Sequence, residues 1–346
     1  YSFMPFNHIE YKKPVYKIKA PLRDHLEQYG RIGETSLSYD DLLRYQQLVA
    51  VTDKNDKETS WFSALYSIED QKHFQEELVN IYQTLVSDGD ILDYIKVGSI
   101  DYCSFGNSKP FRIKIINEVN DNYDYFYVKK ADASRIYGLE LEEIFSPDKI
   151  TFFVNKSTLI EAHVVGIPVD EFIKRNEKKK IENRLRFAKE FVKFNERCFV
   201  RLLGDMRAYN FVVEIVQDFD NVQYNLRAMD FDQQSFEGRK NMYLPQYYKD
   251  NNSLVDLARE LLTDKMAQNY MKQERVAMKK RFRSYKHRTK SLIRRMKKEN
   301  ISTKENIDTL KKEFAVYYNN PHFLEFTTMG QILELHLETK LGIKIF

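Results

Sequence analysis

Three oxygen-bearing side chains stand at spacings that suit phosphate chemistry. Asp205 and Asn210 lie five residues apart in LLGDMRAYNFVVEI, and Asp230 follows in LRAMDFDQQSF. In a D-x-x-x-x-N arrangement the carboxylate can take or orient the proton of a substrate hydroxyl, while the asparagine oxygen helps hold a magnesium ion. Asp230 would add a hard carboxylate ligand to a cation that bridges nucleotide phosphates. The same residues also suit two polar turns, with Asp205 and Asn210 as turn formers and Asp230 closing a strand. The order of the elements that carry them decides between these readings.

With only 11 Gly and 8 Pro in 346 residues, the chain is expected to hold more helix than strand. YDDLLRYQQLVA, WFSALYSI and QKHFQEELVNIYQTLV repeat apolar residues at spacings of three and four, which predicts a helical extension over 1–95. From Gly98 the pattern changes to GSIDYCSF, FRIKIINEV and YDYFYVKK, three β-branched or aromatic runs, the last two joined by the turn-rich NDNYD. A helix ADASRIYGLELEEIF follows, capped by Asp132 or Ser134, and then two more strands in KITFFVN and STLIEAHVV. The expected fold is therefore α+β, with a small five-stranded antiparallel lobe over 96–165 and a mostly helical lobe over 166–346.

Composition excludes several classes of function. Cys103 and Cys198 are the only cysteines, which argues against a disulfide framework and a zinc site, and the seven histidines show no ligand spacing. No run reaches the eighteen or so apolar residues of a membrane span, so the chain reads as soluble and cytoplasmic, or peripheral to the inner face of a membrane. Trp61 and the many Tyr and Phe residues read as core or interface, not as base-stacking platforms. The chain's formal net charge is +4, yet Lys272 to Lys298 carries thirteen Lys or Arg against the single acid Glu274. Met278, Phe282, Tyr285, Leu292 and Met296 mark one apolar stripe on this basic helix. Its outward face, with Lys279, Lys280, Arg281 and Arg283, is either solvated or meets an anionic membrane or glycolipid, with nucleic acid less favoured.

The residues GDMRAYN and MDFD, in this order of elements, resemble the protein-kinase-like fold over about residues 98 to 260. The likeness is to its small-molecule and glycan branches, the aminoglycoside phosphotransferases, choline kinases and lipopolysaccharide-core kinases. It implies ATP and Mg2+ as cofactors, Asp205 as the catalytic carboxylate with Arg207 as a nearby cation, and Asn210 and Asp230 as metal ligands. It also implies a third-strand lysine on the nucleotide phosphates, Lys129 in preference to Lys130, held by a helix glutamate, Glu140 with Glu143 as the alternative. The loop with Ser104, Gly106 and Asn107 would cover the phosphates, and Glu161, Ala162, His163 and Val164 would form the adenine hinge. The chain departs from the pattern at Leu203, where these families commonly carry His, and at Gln233, where protein kinases carry Gly. The function this implies is phosphoryl transfer to a hydroxyl of a small molecule or glycan, a lipopolysaccharide-core sugar among them. The departures keep open a kinase-like protein that binds a nucleotide or partner without turnover. The basic segment keeps open a nucleic-acid or membrane-surface binding protein.

Overall fold

A computed structural model describes residues 13–53, 56–87, 89–176, 181–218 and 221–346. In chain order its elements are α1 (Ala20–Gln28), α2 (Tyr39–Leu42), β1 (Gln47–Thr52), β2 (Glu58–Leu65), α3 (Ile68–Ser87), β3 (Ile95–Cys103), β4 (Phe111–Asn117), β5 (Tyr123–Lys130), α4 (Ala133–Phe145), β6 (Phe152–Asn155) and β7 (Thr158–Ala162). There follow β8 (Ile167–Pro168), α5 (Val169–Asn176), α6 (Arg184–Arg201), β9 (Phe211–Asp218), β10 (Asn221–Ala228), α7 (Asn252–Leu261), α8 (Asp264–Ser284), α9 (Lys286–Met296), α10 (Lys304–Tyr317) and α11 (Met329–Leu341). The chain is α+β and forms two compact units. Of the described residues, those within 13–18, 30–132 and 151–163 form one, and those within 19–29, 133–150 and 164–346 the other.

The first unit is a seven-stranded antiparallel sheet in the order β1-β2-β3-β4-β5-β7-β6. In β4 the alternation FRIKIIN buries Phe111, Ile113 and Ile115 on one face, as a period of two requires. Phe126 and Val128 of β5 join them, and α3 lays Phe74, Leu78, Ile81 and Leu85 on the same cluster at helical spacing.

The expected run of three strands, a helix and two strands is β3, β4, β5, α4, β6 and β7. The sheet, however, has seven strands where the sequence predicts five. QLVAVT and ETSWFSAL, expected within a helical extension, are β1 and β2, and β2 joins β3 through Trp61↔Cys103 and Phe62↔Tyr102. Short apolar runs fit either period, and here Val49, Val51, Thr59, Trp61 and Phe62 bring the β-branched and aromatic content that favours a pleated surface. Only α3, with twenty residues, is the long helix expected there.

Aromatic residues of this sheet lie against cations. The β4–β5 register sets Arg112 against Tyr127 and Lys114 against Tyr125, and the Arg112 guanidinium lies 4.3 Å from the Trp61 ring centre and 4.9 Å from that of Tyr125. Arg112 also donates to Asp101 Oδ2 at 2.8 Å, so this stack is satisfied within the unit.

The second unit packs helices around a three-stranded sheet ordered β10-β9-β8. The basic run is two helices, α8 and α9, broken at Tyr285, and Met278, Phe282, Leu292 and Met296 are buried. The C-terminal end of α9 meets the first turn of α11. Thr328 caps α11 and donates from its hydroxyl to Lys297 O at 3.0 Å, while a Cβ on Gly330 would stand 2.3 Å from the Met296 carbonyl carbon. Among the described residues no helix is long and apolar enough to cross a membrane. Because the atoms facing Gly330 are backbone and cannot step aside, Gly330→Ala is expected to destabilise this unit by about 1–3 kcal/mol. A denaturation midpoint equal to wild type would show that the α9–α11 contact yields.

Candidate active site

The antiparallel hairpin of β9 and β10 explains how residues twenty positions apart in sequence come together. Its register pairs Phe211 with Ala228, so Asn210, just before β9, faces the residues that leave β10, and the Met229 N–H donates to Asn210 O at 3.1 Å. Asp230 thus lies beside Asn210 by strand geometry alone.

Asp205 reaches the same place from the end of α6. The helix closes at Leu202 in the left-handed conformation (φ 55°), and Gln234 Nε2 donates to the terminal carbonyls of Arg201 and Leu202 at 2.6 and 3.2 Å. Leu203, which stands where the resemblance calls for histidine, is wholly buried and bridges to Gln234. Asp205 is itself left-handed (φ 55°), a state disfavoured for a residue with a Cβ and kept only where several contacts fix it. Its N–H donates to Tyr248 Oη at 2.9 Å, Arg207 Nε donates to its Oδ1 at 3.0 Å, and Asn210 Nδ2 donates to its main-chain O at 2.7 Å and to Oδ2 at 3.3 Å.

These contacts leave an acidic cluster. Burial, and then the neighbouring Asp230 carboxylate, push the Asp205 carboxyl up to about 6, against the opposing pull of Arg207. Burial and Asp205 likewise raise Glu237. Arg207 is shared between Asp205 and, at 3.4 Å, Asp250.

Arg135, on α4, is the residue that the sequence reading missed. Its Nη1 donates to Asp230 Oδ1 at 2.8 Å and to Asp232 Oδ1 at 2.9 Å, and its side chain is only 2% exposed. A basic residue in a helix that is apolar on one side reads as solvated, and nothing local to ADASRIYGLELEEIF names a partner a hundred residues away.

The other expected residues are placed as follows. Lys129 is buried and pairs with Glu161 at 2.8 Å, whereas Lys130 is exposed. Glu140 accepts from Arg288 at 2.8 and 2.6 Å and bonds His25 Nε2 at 2.9 Å. Burial raises its carboxyl, but these bonds outweigh burial and hold it at about 2. Glu143 pairs with Lys149 at 2.9 Å. Lys129 and Glu140 belong to different units, and each has a partner inside its own. Ser104 and Gly106 are exposed and Asn107 half-buried, in a loop that Gly106 bends at φ 81°. Glu161, Ala162 and His163 belong to the sheet unit, where Tyr127 Oη and His163 Nδ1 lie 3.1 Å apart, and Val164 belongs to the helical unit. In the basic run, Lys279 donates to Gly342 O and Arg281 to Phe145 O, while Lys280 and Arg283 face solvent.

No family model matches the chain, and no curated protein matches it. Among solved structures it is similar to the autoinhibited serine kinase domain of the giant muscle protein titin, at 12% identity and a TM-score of 0.28, covering 73% of this chain and 81% of that one. It is also similar to titin kinase with its flanking domains, at 11% identity and a TM-score of 0.28, covering 79% of this chain and 61% of that one. A likeness of this size says nothing of the site, whose own geometry stands by itself.

That geometry has a measurable consequence. A carboxyl raised from its ordinary 3.8 to about 6 gives the native state more bound protons than the unfolded chain between those values. The stability it contributes is full below about pH 4 and lost as pH rises through about 6. Asp205→Asn should therefore gain stability relative to wild type as pH rises from about 4 to 6.5, measured as the denaturation midpoint across that range. A variant whose midpoint tracks wild type throughout would mean that the carboxyl is not raised.

Proposed function

We propose that the protein is a phosphotransferase that uses ATP to phosphorylate a hydroxyl group of a small molecule or glycan, with Asp205 as the proton acceptor. The observation that carries this reading is the geometry at Asp205: its carboxyl is 26% exposed, and Arg207 and Asn210 donate to its two oxygens and fix its direction, while burial and Asp230 push it up to about 6. A base of that strength is mostly ionised at neutral pH yet strong enough to take a hydroxyl proton as the bond to phosphorus forms. The hydroxyl oxygen attacks the γ-phosphorus, the bond from that phosphorus to the bridging oxygen breaks with its electron pair leaving on ADP, and the proton passes to Asp205. Catalysis by such a site is mostly positioning and charge placement.

Magnesium does not fit the residues as they stand. Asp230 Oδ1 already accepts from Arg135 and, at 3.0 Å, from the Asp232 N–H. Among the described residues no three His, Cys, Asp or Glu side chains form a group able to hold a metal ion. No step is therefore routed through a metal. The guanidinium on Asp230 also favours a second reading, a protein that binds a nucleotide or partner without turnover.

Two measurements separate these readings. ATP at a hundredfold excess over its Kd should stabilise the folded protein by about 2.7 kcal/mol, seen as a raised melting temperature. An unchanged melting curve at millimolar ATP would sink both. Asp205→Ala should keep that shift while lowering phosphoryl transfer by about 10² to 10⁴. Wild-type turnover no faster than this variant, across water, sugars and lipids as acceptors, would establish the non-catalytic reading.

A further inference from the structure

A pocket of about 300 Å³ lies between α6, α7 and α8, within the helical unit, and none of the residues lining it belongs to the Asp205 cluster. It arises from apolar positions that the core does not use. Leu254 and Leu257 already bury one side of α7, yet Val255, Ala258 and Leu262 recur at spacings of three and four and stay half-buried. On α8, Ala267 and Met271 stand one turn apart and are half-buried too. Phe191 and Val192 of α6, both buried, supply the floor. The volume is at the small end of the range of about 300–1,000 Å³ usual for small-molecule sites, which suits a molecule with one ring.

Three polar groups line this space with capacity left over. Asn195 is 2% exposed; its Oδ1 accepts from the Gln246 N–H at 3.0 Å, and its Nδ2 gives one hydrogen to Gln246 Oε1 at 3.4 Å. The second Nδ2 hydrogen meets no acceptor among the described residues, so a molecule that enters and displaces water must supply one. At the mouth, Arg259 has one ion pair, to Asp256 at 4.0 Å, with both side chains largely exposed, a contact worth little. Asp264 heads α8, but it is Thr263 whose side chain accepts from the Met266 N–H, and the Asp264 carboxylate has no partner among the described residues.

We infer that this pocket binds a free aromatic α-amino acid with a ring hydroxyl. Its carboxylate meets the Arg259 guanidinium, its ammonium meets Asp264, its ring lies against Phe191, Leu262 and Met271, and its phenol oxygen accepts from Asn195 Nδ2. The order follows from exposure: charges of both signs stand at the open mouth, apolar side chains line the middle, and the donor with a spare hydrogen lies at the floor. A molecule with both charges at one end of an apolar ring and an acceptor at the other matches all three levels. The interior of a peptide does not, because its amino and carboxyl groups are neutral amides with nothing to offer Arg259 and Asp264. The site goes beyond the phosphotransfer reading and uses none of its residues.

Equilibrium dialysis of the full chain against L-tyrosine and three relatives tests this. L-Tyrosine should be retained. Tyramine, which lacks the carboxylate, and phloretic acid, which lacks the ammonium, should each bind about tenfold more weakly, the effect of losing one charge-assisted hydrogen bond. L-Phenylalanine, without the hydroxyl, should bind about threefold to tenfold more weakly. Arg259→Gln should weaken tyrosine about tenfold and leave tyramine unchanged, and Asp264→Asn should weaken tyrosine equally and leave phloretic acid unchanged. Both positions are exposed, so neither substitution removes a core contact. No retention of tyrosine up to its solubility, equal affinities for the four molecules, or tyrosine binding that ignores both substitutions would overturn the proposal.

Discussion

The helical unit is organised by the burial of α4. Every residue of this helix is buried, and four of them, Arg135, Glu140, Glu142 and Glu143, are charged. A charge withdrawn from water without a partner costs several kcal/mol, so each must be met, and each is met by a different segment. Glu140 takes His25 from α1 and Arg288 from α9, Glu142 takes Arg201 from the end of α6, Glu143 takes Lys149, and Arg135 takes Asp230 and Asp232. These pairs add little net stability over an apolar core. Their effect is on arrangement: a helix or loop shifted out of place would strand a buried charge.

The loop that presents Asp205 is fixed by main-chain contacts from distant amides as much as by its own turn. Gln234 holds the end of α6, and Asn251 Nδ2 donates to Met206 O and to Pro245 O, both at 2.8 Å. Two left-handed residues, Leu202 and Asp205, sit within four positions of each other in this segment. Strain and like charge are thus concentrated at one place, and the surrounding contacts over-determine it.

Much of this was legible in the sequence where a local rule sufficed. The hairpin of β9 and β10 follows from FVVEIVQD and NVQYNLRA, and the adjacency of Asn210 and Asp230 follows from the hairpin. The strand, helix and strand order from β3 to β7 is likewise written in changes of period. β1 and β2 were not legible, because runs as short as QLVAVT suit helix and strand alike and only pairing with β3 settles them. Ion-pair partners were the least legible. Glu140 and Lys129 were expected together because a family places them so; within their own units they pair with His25, Arg288 and Glu161, and nothing in the order of residues announces those partners. Arg135 failed for the same reason.

The break at Tyr285 and the bonds made on either side of it change what the basic segment can offer a polyanion. Of the thirteen Lys and Arg residues between Lys272 and Lys298, six are already committed: Arg275 to Glu196, Lys279 to Gly342 O, Arg281 to Phe145 O, Arg288 to Glu140, Arg295 to Pro21 O and Lys297 to Glu334. For duplex DNA, affinity falls with the logarithm of salt at a slope of about 0.9 per phosphate neutralised, because each contact frees condensed counterions. A cation already bonded to its own protein frees none unless it first gives up that bond. The electrostatic footprint of this face is therefore roughly half of what its composition advertises, and it is divided between two helices instead of running along one.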